Sequence, residues 1–315
     1  MDTIRFAVVG TGHLGKHHTR ILSKFPGVEL VGISDIRDDI LKTIGSEYGV
    51  TGYKNYLDLI QHVDAVVIAT PTSTHYEICM AFLKAKKHVF VEKPISADLE
   101  QARTMVKTAR EEQCILQVGH SERFNPAFIA AQPFIKNPKF IESHRLNVFS
   151  PRGTDVDVIL DLMIHDLDII LHFMNDFPAK LDSIGIPVLS KEIDIANARL
   201  AFRNGAVANL TASRVSVNPI RKFRIFQKDT YISIDFKEQN VAIFNRLPSK
   251  NENELPLIRQ IPVEITRQEP LFLENSEFVH SIRSGKDPQI TGEVGMNALK
   301  AALAILDGIQ VNPLD

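Results

Sequence analysis

A glycine-rich loop near the amino end constrains the fold more than any other feature of this sequence. Residues 10–15 read Gly-Thr-Gly-His-Leu-Gly, directly after the apolar run Ile4–Val9 and directly before a helical pattern that reaches Leu22. In such a turn the first glycine permits a tight bend, the second lets the backbone approach a pyrophosphate, and the third lets the helix pack on the strand. The amino end of the helix faces the phosphates. The residues expected to bind a dinucleotide here are Gly10, Thr11, Gly12, His13, Leu14 and Gly15.

An acidic residue follows the next predicted strand, Val28–Ser34. Asp35 lies about twenty residues beyond the loop, where a carboxylate can accept hydrogen bonds from the adenosine ribose hydroxyls. This carboxylate would repel a 2′-phosphate, so NAD is favoured over NADP. Arg37, two residues later, could soften that repulsion or stack on the adenine.

Polar loops also follow two later strands. The buried strand 65–69 leads into Thr70, Pro71, Thr72 and His75, at the strand end where open α/β sheets bind ligands. These residues could contact the ribose or the nicotinamide. They could equally form the capped start of a helix over 76–85, and both interpretations can hold together.

The strand 88–91 ends in Glu92, Lys93 and Pro94. Proline keeps the preceding residue out of the α region and makes a cis bond possible, which fixes the direction of Lys93. We expect Glu92 and Lys93 to lie beside the cofactor, and Lys93 is a catalytic candidate. The alternative is a solvated loop lysine.

The order of the remaining elements predicts two domains. A helix over 98–112 and a strand over 115–118 continue a βα pattern that predicts a mostly parallel, doubly wound sheet in residues 1–119. Residues 120–315 form the second domain, where alternating runs predict an open, mostly antiparallel sheet. One face of that sheet can pack on a helix over 155–175, and the other offers a surface for a homodimer or homotetramer. The predicted strands are 181–188, 194–202, 206–213, 221–227, 231–236 and 240–245, and two helices, 270–284 and 293–310, close the chain.

Four ionisable side chains interrupt the otherwise apolar helix over 155–175. Asp161, His165, Asp168 and His172 follow one another at spacings of four, three and four, which puts them in one stripe. Burying a charge costs several kcal/mol unless a partner or ligand meets it. The stripe is therefore either a set of internally paired groups or the wall of an active site, with His165 moving a proton and Asp161 orienting it.

Other polar residues are candidates for contact with a substrate. Arg123 follows the first domain and suits a phosphate or carboxylate, or an interdomain ion pair. Asn125 and Pro126 read as a capped helix start. Candidate substrate contacts are Arg123, Asn125, Arg152 and Arg214.

Composition limits the class of protein. A formal charge of −2 gives no global basic surface for nucleic acid or an anionic membrane. Two cysteines without CxxC spacing indicate neither a zinc site nor a disulfide framework and suit a reducing compartment. No apolar run reaches the length of a membrane span and no signal peptide is evident, so we expect a cytoplasmic protein that contacts neither membrane nor nucleic acid.

Taken together, the glycine loop, Asp35, the segment Ala-Thr-Pro-Thr-Ser-Thr-His, the Glu92-Lys93-Pro94 tripeptide and the Asp161/His165 pair resemble the glucose-fructose oxidoreductase, inositol dehydrogenase and MocA family. The resemblance extends over essentially the whole chain. It implies an N-terminal Rossmann domain, a C-terminal α/β domain with an open sheet, and oxidation or reduction of a sugar or cyclitol carbinol with a nicotinamide cofactor. It also implies that Lys93, Asp161 and His165 form the catalytic group. Within the family, residues 119–126 and 161–170 are most similar to UDP-N-acetylglucosamine 3-dehydrogenases.

The chemistry implied is oxidation of a secondary alcohol, for which a well-placed base contributes a factor of about 10² to 10⁴. We assign His165 as base, Asp161 as its orienting partner and Lys93 as hydrogen-bond donor to the reacting oxygen. The roles of His165 and Lys93 could be exchanged, because burial or a neighbouring charge can lower the pKa of a lysine. No metal is required if protein cations stabilise the alkoxide.

Three alternatives stay open. One is an inositol or aldose dehydrogenase. Another is a non-catalytic regulator that senses the dinucleotide, against which the lysine, aspartate and histidine count. In the third, Asp161 and His165 share a metal ion from one helical face.

Overall fold

The computed structural model describes residues 3–150, 156–247 and 256–309. Its contacts divide the chain into two units, one of Met1–Ser121 with Leu271–Leu299, the other of Glu122–Pro270 with Lys300–Asp315. The predicted division at residue 119 placed 271–299 in the second domain, whereas the structure groups this segment with the first. The reason is its apolar side: Phe278 contacts the rings of Phe6 and Phe90 edge-on, and Val279 is buried in the same core.

The first unit is built on six parallel strands in the order β3-β2-β1-β4-β5-β6, which confirms the predicted doubly wound sheet. Strand order reverses beside β1, which pairs with β2 on one side and β4 on the other, and this is where such sheets bind ligands. The strands are β1 Ile4–Val9, β2 Val28–Ser34, β3 Thr51–Tyr53, β4 Ala65–Ile68, β5 His88–Glu92 and β6 Leu116–Gly119. The helices among them are α1 His13–Leu22, α2 Asp38–Tyr48, α3 Thr72–Lys84 and α4 Leu99–Glu111.

The second unit contains an eight-stranded sheet in the order β14-β13-β12-β11-β7-β10-β9-β8. It is mostly antiparallel, as predicted, apart from the parallel pair of β7 and β10. Its strands are β7 Phe140–Leu146, β8 Lys180–Ile186, β9 Ile195–Ala201, β10 Val207–Ser213, β11 Ile220–Gln227, β12 Thr230–Asp235, β13 Asn240–Leu247 and β14 Leu257–Ile261. Short helix α5, Pro126–Ala131, packs on β12 and β13.

The predicted helix over 155–175 is two elements in the structure. A π-helix, Ile159–Met163, packs on β10 and leads into α6, Ile164–Met174. Asp157 opens the segment by accepting hydrogen bonds from the backbone amides of Ile159 and Leu160, at 2.8 and 2.9 Å. The prediction of one regular helix was wrong because the apolar pattern does not register the single extra residue of a π turn, a feature frequent at functional sites. Residue 155 lies outside the described residues.

Two helices close the chain, α7 Pro270–Ser284 and α8 Gly292–Gly308. In the described ranges no helix is long and apolar enough to cross a membrane. The same ranges hold no group of three or more His, Cys, Asp or Glu arranged to bind a metal ion.

Candidate active site

The three glycines of the loop each have a distinct spatial role. Gly10 has φ of +83°, and a Cβ there would lie 2.7 Å from the carbonyl oxygen of Ala69. A Cβ on Gly15 would lie 1.7 Å from the carbonyl oxygen of Gly10. At Gly12, by contrast, the nearest atom would be 3.8 Å away. Gly10 and Gly15 are therefore required by close packing, while Gly12 leaves room for a ligand to approach the backbone.

Helix α1 begins directly after its N-cap residue Gly12, and no side chain at that position accepts a hydrogen bond from the first amides of the helix. The first amides of a helix lack partners within the helix, and together with the helix dipole they attract an anion. The uncapped start of α1 beside an open glycine therefore suits the pyrophosphate of a dinucleotide.

Asp35 accepts hydrogen bonds from Thr11 of the glycine loop and from Arg37. Its carboxylate accepts from the backbone amide and hydroxyl of Thr11, at 3.0 and 3.2 Å, and from the amide and guanidinium of Arg37, at 3.0 to 3.3 Å. Burial raises the pKa of Asp35, but the hydrogen bonds from Arg37 and Thr11 outweigh it, and the pKa lies below its ordinary value. Asp35 is thus ionised at neutral pH, and the half-exposed side chain of Arg37 covers it.

A cavity of about 650 Å³ opens over this loop, a size that suits a small-molecule ligand. Predicted cofactor residues that line it are Gly10, Gly12, His13, Leu14, Asp35, Arg37, Thr70 and Pro71. Lining residues that the sequence reasoning missed include Ile36, Lys54, Tyr56, Thr74, Glu77 and Ile78. Ile36 is 85% exposed, and an apolar side chain directly after Asp35 was a signal that could have marked it as a surface for adenine.

The other predicted cofactor residues do not line this cavity. Thr11 turns toward Asp35, and Gly15 packs against Gly10. His75 is buried, with Nδ1 at 2.9 Å from the carbonyl oxygen of Pro94 and Nε2 at 2.9 Å from that of Thr70. Thr72 opens α3, so the helix predicted over 76–85 begins four residues earlier.

The Glu92-Lys93-Pro94 tripeptide leaves the carboxyl end of β5. Lys93 is half-buried, and the Lys93-Pro94 bond is cis. Glu92 is buried, with Oε1 at 2.8 Å from Nε2 of His18 on α1. The tripeptide therefore belongs to the same sheet edge as the glycine loop and the Thr70 loop.

The two other predicted catalytic residues belong to the second unit. Asp161 lies in the π-helix and His165 at the start of α6, and both are half-buried. Farther along α6, Asp168 is buried and His172 is exposed, with its Nε2 at 3.1 Å from Nε2 of Gln132. The stripe therefore divides into two pairs. Asp161 and His165 are half-buried, whereas Asp168 and His172 lie beside the protein side chains of Arg123 and Gln132.

Arg123 forms an ion pair inside its own unit. Its Nε lies 3.1 Å from Oδ2 of Asp168, and both side chains are almost inaccessible. Burial raises the pKa of Asp168 to about 6, with Arg123 and His172 opposing the shift. The predicted alternative was an interdomain pair, but the partner is a residue of the same unit. A substrate contact for Arg123 stays a prediction, and its 5% exposure counts against it.

Asn125 and Arg214 also have protein partners. The side chain of Asn125 caps α5 by accepting from the amide of Ala127, and its Nδ2 donates to the carbonyl of Phe236, at 3.0 Å. Arg214 donates to the carbonyl of Val156, and its Nε lies 3.7 Å from Asp194. Arg152 lies outside the described residues.

One buried charge cluster escaped the sequence reasoning. Arg145 on β7 contacts Asp166 on α6 with two nitrogens, at 3.0 and 2.8 Å, and Glu122 with a third, at 2.7 Å. Arg145 therefore anchors α6, the helix that carries His165, to the centre of the sheet. Residues of Phe140–Leu146 alternate between half-buried and buried positions. The buried positions include the polar residues Ser143 and Arg145, so the sequence does not show the apolar alternation by which a strand is normally identified.

Comparison with known proteins agrees with this geometry. The profile of the Gfo/Idh/MocA oxidoreductase family, with an NAD-binding Rossmann fold, matches residues 4–120. The chain is 34% identical over 307 residues to UDP-N-acetylglucosamine 3-dehydrogenase of Acidithiobacillus ferrooxidans, covering 97% of each chain. A solved structure of that enzyme superposes with a TM-score of 0.92 over 98% of both chains. Myo-inositol 2-dehydrogenase of Thermotoga maritima is 29% identical over 317 residues, 94% of this chain and 93% of the relative. The chain belongs to the Gfo/Idh/MocA family and is an oxidoreductase.

Proposed function

We propose that this enzyme is an NAD-dependent dehydrogenase that oxidises a secondary hydroxyl of a sugar nucleotide, the 3-hydroxyl of UDP-N-acetylglucosamine, to a ketone. The observation that carries the proposal is the 34% identity, over 97% of both chains, with the UDP-N-acetylglucosamine 3-dehydrogenase of A. ferrooxidans. The relatedness extends through the second unit, which the family profile at residues 4–120 does not reach. The substrate assignment therefore rests on whole-chain similarity.

The first unit is proposed to hold the cofactor. The uncapped start of α1 and the open space at Gly12 would receive the pyrophosphate, and Asp35 would accept hydrogen bonds from the ribose hydroxyls. Bound nicotinamide would supply the acceptor for the hydride that leaves the alcohol carbon. NAD is preferred over NADP in this proposal because Asp35 is ionised and would repel a 2′-phosphate.

Lys93, His165 and Asp161 are proposed to act on the reacting hydroxyl. His165 takes the hydroxyl proton as the carbon loses hydride, Asp161 holds the imidazole, and Lys93 donates a hydrogen bond to the developing alkoxide. Both His165 and Asp161 are half-buried and so reachable by a ligand, and Lys93 is likewise half-buried. Exchange of the proton-accepting role between His165 and Lys93 is the alternative assignment.

The proposed contacts for the diphosphate of the substrate stay Arg123, Asn125, Arg152 and Arg214, of which Arg152 lies outside the described residues. Arg123, Asn125 and Arg214 each have a protein partner that already uses at least part of their hydrogen-bonding capacity. Arginine suits a diphosphate because its planar guanidinium donates in pairs.

The test is turnover of a substrate panel. The purified enzyme with NAD should reduce the cofactor with UDP-N-acetylglucosamine, and Lys93→Met and His165→Asn should each lower kcat by about 10² or more. A second candidate, an inositol dehydrogenase, is favoured by the 29% identity to the T. maritima myo-inositol enzyme. Activity with inositol or a free aldose and with no UDP-hexose would replace the proposal by that one.

The enzyme is also proposed to form a homodimer or homotetramer through the second sheet. Four aromatic rings from β7, β11, β12 and β13 make a continuous row, with neighbouring centroids 5.0 to 6.1 Å apart. Phe226 in this row is 37% exposed, and the row lies on the sheet face opposite the buried Arg145. Exposed aromatic area of this kind favours contact with another protein surface.

A further inference from the structure

We infer that two buried histidines, His18 and His75, are positioning residues that hold the Glu92-Lys93-Pro94 tripeptide from its two ends and thereby aim Lys93. The inference rests on the proposed function, in which Lys93 meets the reacting oxygen. All the contacts involved lie within the first unit.

The amino end of the tripeptide is held by His18. This histidine is fully inaccessible, and its Nε2 lies 2.8 Å from Oε1 of Glu92. On the other side of the ring, Nδ1 lies 3.0 Å from Nδ2 of Asn275, whose Nδ2 also donates to the carbonyl of Leu271 at 2.7 Å. The Nε2 atom can donate to the carboxylate, while Nδ1 lies within hydrogen-bonding distance of both amide atoms of Asn275, since Oδ1 is 3.2 Å away. Helices α1 and α7 are thereby tied to the residue that precedes Lys93.

The carboxylate of Glu92 lies close to the backbone of Gly119. A Cβ on Gly119 of the neighbouring strand β6 would be 2.7 Å from Oε2 of Glu92, so the carboxylate occupies the space over that glycine. The ring of His18 is fixed in turn by Phe90, with centroids 5.0 Å apart and an edge-on arrangement. A buried carboxylate needs a hydrogen-bonding partner, and His18 supplies it.

The carboxyl end of the tripeptide is held by His75 on α3. Its Nδ1 lies 2.9 Å from the carbonyl oxygen of Pro94, and its Nε2 lies 2.9 Å from that of Thr70. Burial lowers the pKa of His75, so the ring is neutral at pH 7 and donates to one of these two carbonyls. His75 therefore lies between the lysine tripeptide and the loop that lines the cofactor cavity, and each variant below keeps a donor to only one of these two segments.

These contacts define what the two histidines contribute to the reaction. Neither ring lines the cavity over the glycine loop, so an effect on turnover must pass through the segments that they hold. A misplacement of about 1 Å in a reacting group can cost about 10² in rate. Loss of either histidine should therefore lower kcat while leaving the glycine loop and Asp35 able to bind the dinucleotide.

The first test replaces His18 by leucine and by glutamine. Glutamine places an amide donor near the position of Nε2 and can still bond Glu92, whereas leucine cannot. With NAD and UDP-N-acetylglucosamine we expect H18L to lose about 10- to 100-fold in kcat, H18Q to regain most of it, and the Kd for NADH to stay within about threefold in both. H62Q, at an exposed histidine of the same unit, is the matched control.

The second test separates the two contacts of His75. Asparagine places its amide near Nδ1 and retains the donor to Pro94, while glutamine places it near Nε2 and retains the donor to Thr70. We expect H75N to keep kcat within about threefold and H75Q to lose at least about tenfold, because only the first supports the tripeptide. This comparison decides the matter even if H18L does not fold.

The inference is overturned if H18L and H75Q keep the kcat of the H62Q control, or if H18Q and H75N lose as much activity as their counterparts. It is also overturned if the losses appear in the Kd for NADH rather than in kcat. K93M separates this failure from failure of the proposed function. If K93M abolishes turnover while the histidine variants do not, only the positioning role falls; if K93M is fully active, the catalytic assignment of Lys93 falls first.

Discussion

Replacing Asp35 by serine should change which nicotinamide dinucleotide the enzyme prefers. The carboxylate is 8% exposed and ionised, and it belongs to the lining of the cofactor cavity. Serine removes the charge and keeps one oxygen that can accept from the amide of Thr11. The variant therefore tests the carboxylate with little disturbance of the loop.

The expected changes in affinity for NAD and NADP follow from the hydrogen bond that NAD loses and from the guanidinium of Arg37, which no longer pairs with Asp35. A hydrogen bond to a charged group contributes about 1.5 to 3 kcal/mol, so losing one should weaken NAD binding by roughly 10- to 150-fold. Arg37, whose Nε now lies 3.1 Å from Asp35, becomes available to a 2′-phosphate. Affinity for NADP should rise by about tenfold, since repulsion is removed and a cation is gained.

The assay measures Kd for NADH and NADPH by fluorescence titration and kcat/KM with each oxidised cofactor. The Glu29→Ser variant is the control, because Glu29 is an exposed acid on β2, the strand that Asp35 follows, and its replacement changes the net charge equally. If the NAD to NADP preference of D35S differs from that of E29S by less than about threefold, Asp35 does not contact the ribose and the reasoning fails.

Four further substitutions test three separate features of the structure. Gly15→Ala should lower Tm by creating a 1.7 Å approach to the carbonyl of Gly10, while Gly12→Ala should preserve Tm but weaken NADH binding, since it fills the space over the loop. Asp194→Asn should cost about 2 kcal/mol in urea unfolding at pH 7, because burial raises the pKa of Asp194 but hydrogen bonds from residues 188–190 hold it at about 2. Phe226→Asp should reduce the mass measured by light scattering, since it places a charge within the aromatic row.

The loss of unfolding free energy in the Asp194→Asn variant should depend on pH in a definite direction. A carboxyl with a depressed pKa in the folded state contributes stability that is present above its unfolded pKa and is lost as pH falls through its folded pKa. The difference between D194N and the wild type should therefore shrink between about pH 4 and pH 2. Asp182→Asn, at an exposed residue of β8, should show no comparable cost.

The predictions for the two glycine variants and for Phe226→Asp each have a result that would contradict them. Equal Tm in the two glycine variants would refute the distinct roles of Gly12 and Gly15. A mass unchanged by Phe226→Asp, or reduced as much by Lys222→Ser on the same strand, would remove the aromatic row as the contact surface.

The first unit was predictable because local signals and packing demands coincide there. A strand, a glycine loop and a helix must follow one another in a phosphate-binding turn, and Gly10 and Gly15 prove to be sterically required. The position of Phe278 was not predictable in the same way. Its helical pattern indicates an apolar face, but only tertiary contacts with Phe6 and Phe90 assign that face to the first core.

The candidate site shows the same division. The sequence indicated Asp161, His165 and Lys93, whose catalytic roles stay predictions, but it did not indicate that Asp168 forms an ion pair with Arg123. It did not indicate the π turn around Asp161, because one inserted residue leaves the apolar pattern unchanged.

Polar residues that face inward are the other source of missed contacts. Arg145 and His18 are buried through partners far along the chain, 21 and 74 residues away, and no local pattern encodes such pairs. Such contacts are set by the tertiary fold.

Product analysis tests the central claim most directly. The enzyme is incubated with NAD and separately with UDP-N-acetylglucosamine, UDP-glucose, myo-inositol and a free aldose, and the product is identified by NMR. The account predicts that UDP-N-acetylglucosamine is oxidised at carbon 3, with one NADH formed per ketone, and that Lys93→Met and His165→Asn each lower this turnover by about 10² or more. Efficient oxidation of myo-inositol or the free sugar with no turnover of either UDP-sugar would contradict it.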